Sequence, residues 1–367
     1  MRSRPSLDIP GSQVVDELDI EQIPRGSHTR LMVDLIHDGL GRSLRLPLMV
    51  ARGQHPGPVL GLTAALHGNE LNGIPVIHRL FETLDLKGLR GTVVGVMVVN
   101  VPAYLNNQRT FDDRTDMNHV MPGKPNGNIA EIYAHRFIER IVRRFGYLID
   151  LHTASFGNIN SLYVRADMTN KITAKMAHLQ RPQIILHNSP SDRTLRGAAM
   201  DLGIPAITVE IGDPQVFQAH PIKASLSGVR RVMAEIGMLP RRPLKSGPQS
   251  VLCASSGWLY TDHGGLLEVM TKPTNLVKTG EVIAQQRNIF GEVICQYRAP
   301  YDGIVVGQSV NPVAQTGARI LNLGAIATPD DYHPFYARIE DLSSEAPSLA
   351  NLASANLAPE HPQTHEP

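Results

Sequence analysis

The sequence has few of the residues that mark disulfide-rich, thiolate-metal or membrane proteins. Its 367 residues include only two cysteines, Cys253 and Cys295, and neither belongs to a C-x-x-C pair. This excludes a C-x-x-C zinc site and gives no support to a disulfide framework. No apolar run reaches the ~18 residues of a membrane-spanning helix, and residues 1–12 lack the apolar core of a signal peptide. We therefore expect a cytoplasmic protein without membrane contact.

The chain also lacks an excess of charge of either sign. Lysine and arginine total 35 and aspartate and glutamate total 34, which leaves a net charge of +1. A nucleic-acid-binding domain usually carries a basic excess, so no nucleic-acid partner is expected. Hydrophobic residues make up 42% of the chain, as in ordinary globular proteins, and the length allows one large domain or two.

Residues 28–240 alternate β-rich runs with amphipathic stretches. This alternation predicts an α/β domain with a mixed, largely parallel sheet and helices on both faces. The strand at 58–66, the helix at 74–84 and the strand at 91–100 form a β-α-β unit, whose two strands should be parallel. The main elements are strands at 29–36, 44–51, 58–66, 91–100, 147–151 and 206–211, and helices at 74–84, 129–144 and 196–202.

The pattern changes near residue 240. A segment rich in proline, arginine, lysine and glycine, at 240–247, reads as a linker. Short β-rich runs separated by glycines follow and predict a smaller, all-β C-terminal domain at 250–328. Residues 1–27 are predicted to be an N-terminal extension, and the Ala-, Pro-, Glu- and Ser-rich tail at 343–367 is predicted to be disordered.

Three polar residues fall at the ends of predicted strands, where α/β sheets collect their sites. A catalytic zinc site needs three protein ligands and one open position. His67 and Glu70 are two residues apart at the start of a helix and can turn toward one point, and His152 is the natural third ligand. Asp150 lies on the same strand face as His152. It can accept the free ring N–H of a ligating histidine.

A general base and a fixed cation would complete a hydrolytic site. Glu210 interrupts an apolar strand, and buried glutamate is rare unless it is paired or functional. Burial would raise its pKa toward the range of a base that later acts as an acid. Arg109 is the candidate cation for a developing oxyanion. Taken alone, an H-x-x-E pair or one arginine is more simply a structural or surface feature, so the prediction depends on the combination.

In order along the chain, these motifs resemble the succinylglutamate desuccinylase/aspartoacylase family, which is similar in fold and site to zinc carboxypeptidases. The resemblance covers most of residues 55–215. Its motifs are Leu66-His67-Gly68-Asn69-Glu70, Asn100-Val101-Pro102-Ala103, Arg109, Asp116-Met117-Asn118-His119, Met121-Pro122-Gly123, Asp150-Leu151-His152-Thr153 and Val209-Glu210-Ile211-Gly212.

The resemblance implies a role for each matching residue. His67, Glu70 and His152 would bind one zinc ion per chain. Glu210 would act as general base and acid on a zinc-bound water, while Arg109 would polarise the scissile carbonyl. The implied substrate-binding residues, which would hold a carboxylate, are Asn118, His119 and Arg196.

His119 departs from the family pattern, which has arginine at this position. Arginine stays charged and binds a carboxylate through two parallel hydrogen bonds, whereas histidine does neither reliably. Either the substrate is less acidic than N-acetylaspartate or succinylglutamate, or another cation compensates. The candidates for compensation are Arg196, Arg114 and Arg193.

The C-terminal domain is similar to the β-barrel-like domain of the family and, at 298–303, to lipoyl-type sandwiches. A carrier domain presents a lysine at a tight hairpin tip, but Lys272 is followed by Pro273, which disfavours that role. We expect the domain to cover the active site and narrow its access. Tyr260 and His263 are candidates to approach the substrate, although a structural role is the simpler interpretation for both.

The favoured function is zinc-dependent hydrolysis of the amide bond of a small N-acylated amino acid or related linear amide. Two alternatives stay open: a metallocarboxypeptidase acting on short peptides, and a non-catalytic binding protein on the same fold. Two histidines and a carboxylate also accept divalent ions other than zinc. A homo-oligomer is possible, and the sequence names neither the acyl group nor the amine.

Overall fold

The structure is a computed structural model that describes residues 10–190, 192–241, 243 and 249–328. The predicted disordered tail lies outside these residues. The strands are β1 (Ser12–Val15), β2 (Ser27–His37), β3 (Ser43–Arg52), β4 (His55–Ala64), β5 (Arg90–Val96), β6 (Tyr147–His152), β7 (Asn158–Asn160), β8 (Leu162–Ala166), β9 (Ile184–His187), β10 (Ala206–Ile211), β11 (Val251–Tyr260), β12 (Gly265–Val269), β13 (Leu276–Val277), β14 (Val282–Arg287), β15 (Val293–Arg298), β16 (Gly303–Ser309), β17 (Val313–Ala314) and β18 (Arg319–Ile326). The helices are α1 (Gly73–Glu82), α2 (Val101–Leu105), α3 (Ile129–Arg140), α4 (Lys171–Gln180), α5 (Leu195–Asp201) and α6 (Ala219–Glu235), with 3₁₀ turns at Ile20–Gln22, Met117–His119 and Val142–Arg144.

A mixed sheet forms the centre of the molecule. Its strands follow the order β2-β3-β5-β4-β6-β10-β8-β9. The four middle strands, β5, β4, β6 and β10, are parallel to one another, while β3 and β8 pair antiparallel with β5 and β10. The predicted mixed, largely parallel sheet is confirmed, as is the parallel β4-α1-β5 unit.

Helices cover both faces of this sheet because each has one apolar side. On one face, α1, α4 and α6 contribute to a hydrophobic cluster that includes Ile77, Ala177 and Val232. On the other, α3 and α5 contribute Phe137 and Ala198 to a second cluster. The parallel middle strands are buried on both faces, which explains why they read as continuous apolar runs.

A second, smaller β unit follows α6 along the chain. Strand β11 begins parallel to β9 and then pairs antiparallel with β18, so the large sheet continues into the C-terminal region. A separate four-stranded antiparallel sheet has the order β15-β14-β12-β17. This confirms the predicted all-β character of the region, which we call the C-terminal β unit (residues 250–328).

The two regions are connected by more than one strand pairing. Strand β7, which follows the β6 strand of the central sheet, pairs with β16 of the C-terminal β unit. At the opposite edge of the large sheet, β1 pairs in parallel with β2. Strand β1 lies within the segment that was predicted to be an N-terminal extension. The individual domain boundaries at residues 27, 240, 250 and 328 stay predictions. The β7–β16 pairing fixes one end of the β unit beside the carboxyl ends of β6 and β10.

Candidate active site

Strand register brings three of the site residues side by side. In β10, Glu210 pairs with His152 of β6 on one side and with Tyr163 of β8 on the other. Residues directly opposite each other on paired strands point to the same face of a sheet. The general-base candidate therefore lies between a ligand candidate and a tyrosine that the sequence did not indicate.

His67 and Glu70 lie in the turn between β4 and α1. The backbone N–H of Glu70 donates to the carbonyl of His67 at 3.0 Å, which closes the turn. Gly68 stands where the backbone of α2 comes close, since a Cβ there would be 2.1 Å from the carbonyl carbon of Ala103. Glycine is therefore required for this close approach and not for a left-handed turn conformation.

The three predicted ligands converge on one point. Nδ1 of His67 lies 2.8 Å from Glu70 Oε1, and Nδ1 of His152 lies 2.8 Å from Glu70 Oε2. The donor atoms are all within 4.8 Å of one another, and the three residues are buried. Nδ1 of His67 makes no hydrogen bond despite its proximity to Glu70. An unsatisfied buried nitrogen aimed at a carboxylate is what a metal position between them would leave, and the donor set of two histidines and a glutamate fits catalytic zinc.

The outward ring nitrogen of each histidine is held by a carboxylate. Nε2 of His152 lies 2.8 Å from Asp150 Oδ2, and the hydroxyl of Thr63 donates to the other Asp150 oxygen at 2.6 Å. Nε2 of His67 lies 3.1 Å from Asp116 Oδ1. Such contacts fix the tautomer and direct Nδ1 inward, as is usual for histidines that bind metals. The sequence indicated Asp150 for this purpose but assigned no role to Asp116.

The charges of the cluster are strongly coupled. Burial raises the pKa of Glu70, but the charge of His67 and a hydrogen bond from His152 outweigh it, so the pKa falls far below its ordinary value. Burial also raises the pKa of Asp116, but the hydrogen bond and charge of His67 and the charge of Arg109 outweigh it, so the pKa falls far below its ordinary value. Burial lowers the pKa of His152, but the nearby Asp150 carboxylate outweighs burial and raises the pKa well above its ordinary value. The carboxylates are therefore held ionised, as ligands and their partners must be.

Arg109 bridges two of these carboxylates. Its Nη1 donates to Glu70 Oε1 at 2.8 Å and its Nε to Asp116 Oδ2 at 3.0 Å, with Nη2 also 2.9 Å from Asp116. Each terminal nitrogen of a guanidinium carries two N–H groups. Two donors thus stay available toward the cavity, where the side chain is 37% exposed.

Glu210 lies in the same cavity with its residue only 9% exposed. Burial raises the pKa of its carboxyl above the ordinary value. Nε of Arg165 is 3.8 Å from Glu210 Oε1, and Nη2 of Arg165 donates to the Tyr163 hydroxyl at 2.9 Å. Sequence analysis missed Tyr163 and Arg165. The available signal was their period-two spacing in a strand, which places both on the face of Glu210.

The residues predicted to bind a substrate carboxylate all line this cavity. Oδ1 of Asn118 accepts a hydrogen bond from the Leu195 backbone at 3.2 Å. His119 is exposed in its 3₁₀ turn. Arg196 is only 1% exposed, and it is bound by the Asp192 carboxylate and by the carbonyls of two residues, Asn188 and Ser189. Its guanidinium is thus already occupied within the protein.

The cavity measures about 290 Å³, and the C-terminal β unit supplies part of its wall. The contributing side chains are Trp258 and Arg319, which sequence analysis did not indicate. Tyr260 and His263, the residues proposed from the sequence, are more than half exposed and do not line it. The sequence indicated this region but not the side chains that line the cavity, because strand register, unknown beforehand, decides which side chains face it.

The fold and the His-Glu-His cluster define a class of α/β proteins with a cavity at the carboxyl edge of the sheet, lined by residues whose donor atoms lie close enough together to hold a metal ion. The catalytic-domain family of succinylglutamate desuccinylase and aspartoacylase matches residues 56–236. Residues 56–236 belong to this family, and the predicted resemblance is confirmed.

The chain is similar to a deacetylase and to several proteins of known structure. The N-α-acetyl-L-2,4-diaminobutyric acid deacetylase of Halomonas elongata is 24% identical over 273 residues, which cover 71% of this chain and 79% of the relative. The product-bound ectoine utilization protein EutE (DoeB) of Ruegeria pomeroyi is 21% identical with a TM-score of 0.74, covering 83% and 98% of the two chains. A succinylglutamate desuccinylase/aspartoacylase from Rhodobacter sphaeroides is 18% identical with a TM-score of 0.76, covering 86% and 100%. At these identities, the structural likeness establishes the fold.

Membrane insertion through a helix finds no support in the described part of the chain. None of its helices combines the length and the apolar character needed to cross a bilayer.

Proposed function

We propose that the protein is a zinc-dependent amidohydrolase that removes the acyl group from a small N-acylated amino acid or a related linear amide. The observation that carries the proposal is the convergence of His67, Glu70 and His152 on one point, with Glu210 in the same cavity. A non-catalytic protein on this fold would not need a buried Nδ1 at His67 without a hydrogen-bond partner, because such a group is costly to bury.

The donor set and its supports suit one divalent ion. His67, Glu70 and His152 would hold it, while Asp116 and Asp150 orient the two imidazoles. When bound, such an ion supplies Lewis-acid chemistry at an amide carbonyl and makes water acidic enough to react at neutral pH.

The protein's own side chains account for the proton transfers and the charge. Glu210 takes a proton from the attacking water and delivers it to the leaving nitrogen, for which its raised pKa is suited. Arg109 directs its two available N–H groups at the oxygen that becomes negative as the carbonyl is attacked. Its ion pairs with Glu70 and Asp116 hold it in place for this purpose.

Two findings favour small acylated amino acids over peptides. The C-terminal β unit closes part of the cavity through Trp258 and Arg319, and a space of about 290 Å³ fits one acyl group and one amino acid. The relative from Halomonas elongata is a deacetylase of an N-acetylated amino acid. We therefore favour the deacylase over the metallocarboxypeptidase.

The test is hydrolysis by the full chain loaded with zinc. Release of free amine would be measured for N-acetyl and N-succinyl amino acids with acidic, basic and neutral side chains, beside short unblocked peptides. Turnover confined to acylated single amino acids, and abolished by a chelator and restored by zinc, is the expected result. Cleavage of the unblocked peptides instead would establish the carboxypeptidase, and no turnover of any substrate would contradict the proposal.

A further inference from the structure

The charged groups that line the cavity are unequal in number. Three carboxylates line it, and each has an arginine nearby: Glu70 with Arg109 at 2.8 Å, Glu210 with Arg165 at 3.8 Å, and Asp192 with Arg196. A fourth arginine, Arg319, also lines the cavity. Within the described residues it has no carboxylate in ion-pair distance. Among the described residues, the cavity thus contains one positive charge without a counter-charge.

Arg319 is held in place by an aromatic ring. Its guanidinium carbon lies 4.8 Å from the centre of the Trp258 ring, which is a cation–π contact. Trp258 is in β11 and Arg319 begins β18, the strand that pairs with β11. Stacking restrains an arginine through its face and leaves the N–H groups at its edge free, which are the groups that bind a carboxylate in a bidentate manner.

The other cations offered by the sequence are less suited to this task. Arg196 is occupied by Asp192 and backbone carbonyls. Arg114 is exposed and Arg193 lines a separate cavity. His119 lines the site but is not charged at every pH.

We propose that Arg319, stacked on Trp258, is the subsite that binds a carboxylate of the substrate and so determines the specificity of the enzyme for acidic amides. This inference rests on the proposed amidohydrolase function. The carboxylate could belong to the amino acid or to the acyl group; the chemistry of recognition is the same for both.

Trp258 provides a reporter that does not depend on turnover, because it is the chain's single tryptophan. Zinc-loaded Glu210→Gln protein would be titrated with three matched amides while Trp258 fluorescence is recorded. N-acetylalanine carries its carboxylate on the amino acid, N-succinylalaninamide carries it on the acyl group, and N-acetylalaninamide has none. We expect ~10- to 100-fold tighter binding of one or both carboxylates than of the uncharged amide, as charge-assisted hydrogen bonds give.

Arg319→Gln in the same background should abolish this preference while leaving the uncharged amide bound as before. Arg319→Lys should restore part of it, since lysine keeps the charge but not the planar fork. Arg298→Gln is the matched control: Arg298 lies in the same β unit, donates to the Gly280 carbonyl and does not line the cavity, so the preference should persist. Trp258→Phe should remove the fluorescence signal.

In chains that retain Glu210, Arg319→Gln should raise KM for the carboxylate substrate with little change in kcat. A carboxylate preference that survives Arg319→Gln, or an equal loss of affinity for all three amides, would overturn the proposal. If no hydrolysis occurs but the carboxylate preference depends on Arg319, the amidohydrolase function is contradicted and the Arg319 subsite is supported. Hydrolysis with a carboxylate preference that does not depend on Arg319 would support the amidohydrolase function and overturn the Arg319 subsite.

Discussion

The cavity wall built by the central sheet and the wall built by the C-terminal β unit differ in how fully their charged groups are partnered. On the sheet side, Glu70 is bound by two histidines and an arginine, and the outer nitrogen of each histidine meets a carboxylate. On the other side, Arg319 is exposed and stacks on Trp258, and no carboxylate of the described residues lies within ion-pair distance of it.

This difference follows from the two tasks that the walls perform. Groups that hold a metal and move protons must be fixed before the substrate arrives, because reorganisation during the reaction would add to its barrier. A group that recognises the substrate must instead keep a hydrogen-bonding capacity free for it. The following predictions, in order of decreasing effect, test whether the sheet wall holds the metal and the general base, and how rigid that wall is.

The largest effect is expected from removing a ligand. His152→Ala should lose stoichiometric zinc and all measurable amide hydrolysis, because only two of the three protein ligands remain to hold the ion. Metal content would be measured by mass spectrometry after dialysis. His78→Ala, an exposed histidine of α1, is the control and should retain the metal. Full zinc content in the His152 variant would disprove the ligand assignment.

Next in size is the loss of the general base. Glu210→Gln should lower kcat by ~10²–10⁴-fold, the usual contribution of a positioned acid–base group. Zinc content should stay unchanged, since Glu210 is not among the converging ligands. Steady-state kinetics beside metal analysis would separate the two effects. Wild-type kcat in this variant would remove Glu210 from the mechanism.

A smaller effect is expected from the group behind a ligand. Asp150→Asn should weaken zinc binding by ~10–100-fold, because the amide no longer accepts the Nε2–H of His152 as strongly. Thr63→Val removes only the hydroxyl that supports Asp150 and should weaken binding less. Competition with a chromogenic chelator would measure both. Asp201→Asn, an exposed residue at the end of α5, should show no change, and a loss equal to that of Asp150→Asn would contradict the argument.

The rigidity of the two walls can be compared through their glycines. A Cβ at Gly68 would stand 2.1 Å from the Ala103 carbonyl carbon, whereas a Cβ at Gly257, beside Trp258 in β11, would meet no atom within 4 Å. Gly68→Ala should therefore lower the free energy of unfolding by ~1–3 kcal/mol. Gly257→Ala should change it by less than about 0.5 kcal/mol. Chemical denaturation would measure both, and equal effects would remove the proposed contrast.

Much of the sheet side was predictable from the sequence. The strand at 206–211 was predicted with the bounds that it has, and α1, α3 and α5 lie within a few residues of their predicted positions. The turn at His67–Glu70 and the strand end at His152 were readable because their residues are close in sequence or follow apolar runs. Asp116 was missed as a partner of His67 because it comes from a loop whose path no periodicity describes.

The C-terminal β unit was predictable only in outline. Glycine spacing indicated many short strands, but register shifts in the β11–β18 pairing, one of them between Trp258 and Tyr260, change which residues face the cavity. Tyr260 was named as a candidate to approach the substrate, whereas Trp258 is the residue that lines the cavity. A shift of one residue exchanges the two faces of a strand, and the sequence does not record it.

By itself, the sequence predicted the alternating order of strands and helices, the three residues that come together in the structure and the acidic residue in a buried strand. These depend on local spacing and on the cost of burying a carboxylate, which are properties of short segments. Only the tertiary structure decided that Glu210 lies between His152 and Tyr163, that Arg196 is occupied by Asp192, and that Arg319 has no counter-charge among the described residues. Those outcomes depend on strand order and register between segments far apart in the chain, which are fixed only when the whole core packs.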